Sequence, residues 1–461
     1  MPEEYTPRTN ALNVLKDKIY FHRFPSYGNK IFYGLGFLAL TSLLILVFTG
    51  VIMAFMGPTW WILNPLGIFL RSIHEWAVQA FLVILLCHIL VVFTTSAFKP
   101  PRRLAWVFGS SIFCIALIQT EFGYALRGDF GSQYRVISGA DFWNGAYLGN
   151  FINPLSFAED FAIHIAIIPL IILGLFVCHY ILVHSFGIAK PYRKDVKYKM
   201  VDADHKIMYI RGGVLVALVI FLAIIFPSPF IAPETITSVA GSDPGLVSQT
   251  LMQEFDHTSG TATYLDSIDP YTYDTRHAYI QVPYEQYAAA SGVPNAWTAF
   301  SSKSPDAQQS DIADAESYYA SSSAATTTEN SVIIMIGALT SMAKSGLYES
   351  AINQESPTTN YTYSLNFLRD TGVLDAEAAA VHITTAEWGM VREDKAGLPP
   401  GAWWFAPIGM LNSTVLANDT KGDRDGASFL GLFMLLFILF PYIPYLNRLP
   451  ETLRIAPWIW K

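Results

Sequence analysis

A chain of 461 residues would ordinarily make about three soluble domains, but 52% of this one is apolar, only 14% is charged, and its mean hydropathy is positive. That balance excludes an ordinary soluble enzyme, and with a net charge of -8 no nucleic-acid partner is expected. Apolar runs long enough to cross a bilayer, which takes about 20 residues, occur near 31–56, 77–98, 104–126, 161–185, 211–230 and 427–447. They predict six transmembrane helices.

The first run is too long for a signal-peptide core and leads into Met56, Gly57 and Pro58 without a small-residue cleavage site, so it is expected to stay as a span. Lys and Arg gather in the N-terminal arm (Arg23, Lys30), after the second span (Lys99, Arg102, Arg103), after the fourth (Lys190, Arg193, Lys194, Lys197, Lys199) and after the sixth (Arg448, Arg454, Lys461). Alternation through six spans places all of these on the cytoplasmic side, as the positive-inside rule requires. The expected topology is a multi-pass protein of a prokaryotic plasma membrane with both termini cytoplasmic. Cys87, Cys114 and Cys178 fall inside predicted spans and read as small packing residues, and no CxxCH motif is present for ordinary covalent haem attachment.

The segment 231–426 breaks the apolar pattern. It is rich in Ser, Thr, Ala, Tyr and Asp, its acidic residues outnumber basic ones by roughly three to one, and the span count puts it outside the cell. It is expected to be an extracytoplasmic insertion, partly folded around the apolar stretches Val332–Met342 and Leu365–Leu374, with linker-like sequence at 321–328.

Histidines are scarce in membrane helices, because a polar ring in hydrocarbon needs a partner. The second predicted helix carries His74 and His88, fourteen apart; the fourth carries His164 and His179, fifteen apart. Each pair lies on roughly one helical face, about 21 Å apart along the axis. The two helices run in the same direction, so His74 is level with His164 near the outside and His88 with His179 near the inside. The pattern predicts two bis-histidine haem sites, each imidazole offering a neutral nitrogen to iron. Glycines repeat the interval: Gly36 and Gly50 on the first helix, Gly109 and Gly123 on the third. A haem edge wedged against a helix needs positions without a side chain, which predicts that these four make room for the macrocycles.

With these pairs in place, the chain resembles the cytochrome b family of respiratory bc complexes and their photosynthetic plastoquinol-oxidising relatives. The likeness runs over about 28–230 and 398–450. It includes Arg71 in Arg71-Ser-Ile-His74, the connection Phe98-Lys-Pro-Pro-Arg-Arg-Leu104 with Trp106, Gly123-Tyr-Ala-Leu126, and Pro169 five residues after His164. The fifteen-residue spacing is similar to the plastoquinol-oxidising branch. The resemblance implies an all-α transmembrane fold: a haem-binding four-helix bundle over 1–190, a cytoplasmic loop and fifth helix over 191–230, the insertion over 231–426, and a sixth helix with a cytoplasmic tail over 427–461. It also implies that Arg71 neutralises a haem propionate and that His184 serves the inner quinone site.

Four departures from the family's pattern stand out. The family's Pro-Glu-Trp-Tyr loop is represented by Leu398-Pro-Pro-Gly-Ala-Trp-Trp-Phe405, which has no carboxylate. A base at a quinol site must reach the hydroxyl, so either the role passes to a residue such as Asp129, Glu234 or Glu387, or proton release differs here. Glu159 stands where an arginine is expected, and Arg211 and Gly212 where an inner-site acid is. Gly34 replaces the cysteine that anchors an extra haem in chloroplast-type relatives, so that haem is expected to be absent.

By resemblance, quinol would deliver one electron to a mobile Rieske iron-sulfur protein and one across two haems b to an inner quinone. A cytochrome c or another acceptor would lie beyond, protons would cross the membrane, and the complex would be a homodimer. The alternatives are a non-bifurcating two-haem anchor of another quinone oxidoreductase, and a membrane-anchored surface protein without a redox role.

Overall fold

Hydropathy and helix-terminating residues together decide where the long helices begin and end. The computed structural model describes residues 23–189, 199–202, 204–263, 273–320, 329–353, 360–384, 401–419 and 421–453. In order come α1 (Leu35–Met56), α2 (Pro65–Thr94), α3 (Arg103–Ala125), α4 (Phe130–Gly145), α5 (Phe157–Phe186) and α6 (His205–Ile225). The insertion contributes α7 (Pro244–Phe255), α8 (Ser331–Lys344) and α9 (Thr362–Asp370), with shorter helices between them. The last span is α10 (Gly422–Tyr442). All of these except α4, α7, α8 and α9 are long and apolar enough to cross a membrane. Outward-facing Phe48, Phe55, Leu170, Val214 and Phe433 are largely exposed, as lipid-facing side chains are. The fold is that of an all-α membrane protein.

Several helices start earlier than their apolar runs, α2 and α10 among them. At α2 the Asn64 side chain accepts the Leu66 N–H at 3.0 Å and Pro65 occupies the first helical position, so the helix begins well before residue 77. Its 30 residues rise about 45 Å and carry Arg71 and His74 on the same rod as His88. At α10 the first turn holds Asp423 and Asp425, whose charge suits a helix N-terminus but hides it from a hydropathy scan.

The chain divides into two compact units. One comprises the described residues up to Thr120, Ile165–Ser228 and those from Gly431 onward; the other comprises Glu121–His164 and Pro229–Leu430. In the first unit, α1 and α6 pack on α2. Trp76 Nε1 donates to the Phe226 carbonyl at 2.8 Å, and Ser72 Oγ accepts the Ser228 N–H at 2.8 Å. Ile89, Phe98 and Trp106 cluster with Phe437 and Phe440, and Trp106 Nε1 donates to the Phe437 carbonyl at 3.0 Å. A short antiparallel ribbon joins β1 (Arg23–Pro25) to β2 (Met200–Asp202). Cys114 is buried while Cys87 and Cys178 are exposed, and all three are thiols.

The second unit is built around a core that includes α4. Phe130, Tyr134, Ile137 and Ala140 join Leu251, Phe255, Tyr279, Ile336, Leu339 and Phe367 of the insertion in one apolar cluster. A fully buried side chain of this size contributes about 1.5–3 kcal/mol, so the segment between the third and fourth spans folds as part of the insertion core. Asp129 starts α4 through a reciprocal cap with Ser132, at 2.9 and 3.0 Å. At the other end, a Cβ on Gly145 would stand 2.6 Å from backbone atoms of Asp423 and Arg424, so only glycine permits that approach.

Candidate functional site

His88 on α2 and His179 on α5 line one apolar cavity of about 230 Å³, walled by Phe81, Leu85, Ile112 and Phe176. Nδ1 of His179 lies 2.8 Å from the Ala105 carbonyl. A carbonyl only accepts, so Nδ1 carries the hydrogen and Nε2 of the neutral ring presents the lone pair. His74 is set in the same way by a side chain. Its Nδ1 is 2.8 Å from Thr49 Oγ1, whose own hydrogen goes to the Ile45 carbonyl at 2.7 Å. Thr49 therefore accepts from His74, and Nε2 again holds the lone pair. Such partners fix the orientation and basicity of a metal-binding imidazole.

Each of the four paired glycines faces one of the four histidines. A Cβ on Gly36 would lie 3.8 Å from Cε1 of His88, on Gly50 3.4 Å from Cε1 of His74, on Gly109 3.0 Å from Cε1 of His179, and on Gly123 2.8 Å from Cε1 of His164. The atoms nearest to all four positions are imidazole atoms, so each missing side chain leaves room beside a histidine ring.

His164 sits in a π-helical turn, Ile163–Ile167, within α5. Pro169 follows two residues later, and a proline removes an N–H and crowds the carbonyl four residues before it, which widens the preceding turn. The wide turn takes up one residue, which is how a fifteen-residue spacing on α5 can serve where fourteen serves on α2. His88 and His179 share a cavity; His74 and His164 are each seated against a glycine, in different units.

A family model described as Cytochrome b(N-terminal)/b6/petB matches residues 79–237. The cytochrome b6 of Heliobacterium modesticaldum is 31% identical over 192 residues, covering 37% of this chain and 90% of that protein. The chain belongs to the cytochrome b family. The cytochrome b6 of Heliobacterium mobile is 28% identical over 40% of this chain and 97% of its own. The cytochrome b subunit of the cytochrome bc1 complex of Streptomyces coelicolor is 35% identical over 132 residues, 25% of this chain and 24% of that one.

Membership in the cytochrome b family carries b-type haem binding and an electron-transfer role with it. The residues fit the group: His88 and His179 flank an apolar cavity, Nδ1 of His179 is committed to the Ala105 carbonyl, and Gly36 and Gly109 leave room beside the two rings. Arg71 is buried on α2. His184 lies past the cavity on α5, its ring tilted against Tyr180 at 6.1 Å, and it does not line the cavity.

The candidate bases fare differently. Asp129 is fully buried, paired with Arg127 and holds the α4 cap. Glu234 accepts from Ser238 Oγ at 2.9 Å beside the Thr235 cap, and Glu387 lies outside the described residues, as do Leu398, Pro399 and Pro400. Glu159 turns outward and accepts the Asn153 N–H at 3.0 Å. Arg211 Nη1 would be 3.5 Å from a Cβ on Gly34, so that glycine also faces a side chain.

Sequence reasoning passed over Thr49, Glu121, Arg135 and Asp160. Thr49 precedes Gly50 and was within reach of helical register; the other three needed contacts between α3, α4 and α5.

Proposed function

We propose that this cytochrome b holds two b-haems, one between His88 and His179 and one between His74 and His164, and carries electrons from quinol across the membrane as a subunit of a bc-type quinol oxidoreductase. The observation that carries the reading is the His179 Nδ1–H donated to the Ala105 carbonyl across the cavity from His88, because it leaves Nε2 as the metal-facing atom. The second pair rests on sequence spacing and on the Thr49 contact of His74. Haem supplies one-electron redox chemistry when bound; the chain sets its spacing, ligand tautomer and exclusion of water.

The wider reading follows the bc-type relatives. A Rieske iron-sulfur protein takes one electron from each quinol and passes it to a cytochrome c or similar acceptor, while the second electron crosses the chain to an inner quinone near His184. Protons are released outside and taken up inside, and the complex is a homodimer in a prokaryotic plasma membrane, with the insertion extracytoplasmic. A second reading, a two-haem anchor that conducts without bifurcation, is favoured by the lack of a carboxylate in Leu398–Phe405.

The test is a dithionite-minus-oxidised spectrum with pyridine haemochrome quantitation on the purified chain and on His74→Ala and His88→Ala. Two b-haems per chain, one lost in each variant, is the expected result. Absence of haem, or loss unrelated to these histidines, overturns it. Haem reduction by quinol that needs no iron-sulfur partner and ignores inner-site inhibitors selects the anchor.

A further inference from the structure

Quinol oxidation releases protons, and a base must stand within hydrogen-bond reach of the hydroxyl it serves. Of the carboxylates that sequence reading offered for this, Asp129 is ion-paired and caps α4, Glu234 accepts from Ser238, and Glu387 lies outside the described residues. The second unit contains two others, on the two helix segments that meet at His164.

Glu121 is on α3, two residues before Gly123, the glycine that faces His164. Its partly buried carboxylate lies against α4, where a Cβ on Gly139 would be 3.1 Å from Oε1. One turn earlier on the same face of α4 stands Arg135, only 3% exposed and within electrostatic reach of Glu121. The Arg135 guanidinium lies 4.3 Å from the Tyr124 ring and 4.9 Å from the Phe405 ring, and its Nε has no hydrogen-bond partner. Asp160, at the start of α5, is 1% exposed, lies within electrostatic reach of Glu121 and Glu159, and has one carboxylate oxygen without a hydrogen-bond partner.

The surroundings are aromatic. Tyr124 meets Trp404 at 6.3 Å and Phe122 stacks on Trp143 at 5.8 Å, and both indole N–H groups are buried without an acceptor. Buried polar groups are almost always satisfied. Unsatisfied donors and carboxylate oxygens among stacked rings suit a ligand that is itself a flat ring bearing hydroxyls.

We infer that Glu121 is the proton acceptor for quinol at the outer side of this cytochrome b, with Asp160 as the next proton station and Arg135 as the charge that holds Glu121 in place. This rests on the quinol-oxidising reading above. In the reaction both quinol O–H bonds break and the ring becomes the quinone. Its two electrons pass to two one-electron acceptors, a ferric b-haem and an oxidised iron-sulfur protein. The two protons leave in turn by one route, each to a Glu121 carboxylate oxygen, then to Asp160 and the aqueous side, so that Glu121 is a free carboxylate again before the second arrives.

The test uses the full chain in membranes with duroquinol as reductant, comparing wild type, Glu121→Gln, Glu121→Asp and Glu234→Gln. Dithionite-reducible haem is measured alongside the quinol-driven rate from pH 5 to 9. Glu121→Gln is expected to keep its haem but reduce it about 10²–10⁴-fold more slowly. Glu121→Asp should give an intermediate rate with a displaced pH profile, and Glu234→Gln the wild-type rate. A carboxyl band in the wild-type redox-difference infrared spectrum should vanish in Glu121→Gln. A wild-type rate and pH profile in Glu121→Gln overturns the assignment; if that variant loses haem, an unchanged pH profile in Glu121→Asp overturns it instead. Failure of duroquinol to reduce haem in wild type sinks the quinol-oxidising reading itself, a result separable from the others.

Discussion

A methyl group added to Gly109 would stand 3.0 Å from Cε1 of His179 and 3.2 Å from its Nδ1, the atom that donates to Ala105. The glycine, the imidazole and the carbonyl thus belong to one arrangement on α3 and α5. Because the four glycines press on their rings to different degrees, they should not respond equally to substitution.

Gly123→Ala and Gly109→Ala, at 2.8 and 3.0 Å, force the imidazole to move, whereas Gly36→Ala, at 3.8 Å, adds an ordinary contact. Over-packing of this kind costs about 1–3 kcal/mol. Haem content per chain should fall in Gly123→Ala and Gly109→Ala and stay near wild type in Gly36→Ala, with Gly50→Ala between. Equal retention in all four would show that the rings move without cost.

Thr49→Val keeps the shape of the side chain and removes the acceptor for His74 Nδ1–H. Loss of such a partner typically weakens metal binding about 10–100-fold. Titration of haem into the apo chain should show one weakened site and one unchanged, with the unchanged one lost in His88→Ala.

Asp129→Ala removes the α4 cap, worth about 1 kcal/mol, and takes the carboxylate from the buried Arg127 guanidinium, which also donates to the Pro229 carbonyl at 3.1 Å. Breaking a buried pair costs about 3–5 kcal/mol. The variant should melt at a clearly lower temperature yet, in the fraction that remains folded, reduce haem with quinol at the wild-type rate. A large rate loss in folded protein would make Asp129 a proton acceptor after all.

The insertion carries a pH dependence of its own. Burial, and then the neighbouring Asp370 carboxylate, push the Glu254 carboxyl well above its ordinary value of 4.5, against the Ser259 hydroxyl that donates to it at 2.7 Å. The folded state therefore holds a proton that the unfolded chain releases above that ordinary value. Its contribution is complete below it and is lost as pH rises toward the folded value. Pulse proteolysis of the detergent-solubilised chain should find the insertion less stable at pH 9 than at pH 6, and Glu254→Gln should shrink the difference. A difference unchanged by Glu254→Gln would place its origin elsewhere.

What was readable from the chain alone was whatever depends on local period. Spanning runs, the histidine and glycine intervals, and the acidic character of 231–426 are properties of consecutive residues, and the helix repeat turns them into faces without further information. The tertiary structure decided what those faces meet. It set an imidazole beside each of the four glycines, placed a π-turn before Pro169 on α5, and drew α4 into the core of the insertion. It also set Glu121, Arg135 and Asp160 together, though they come from three separate segments. Those outcomes depend on close packing between residues far apart in the chain, where tenths of an ångström separate a contact from a clash. No pattern within one helix carries that information.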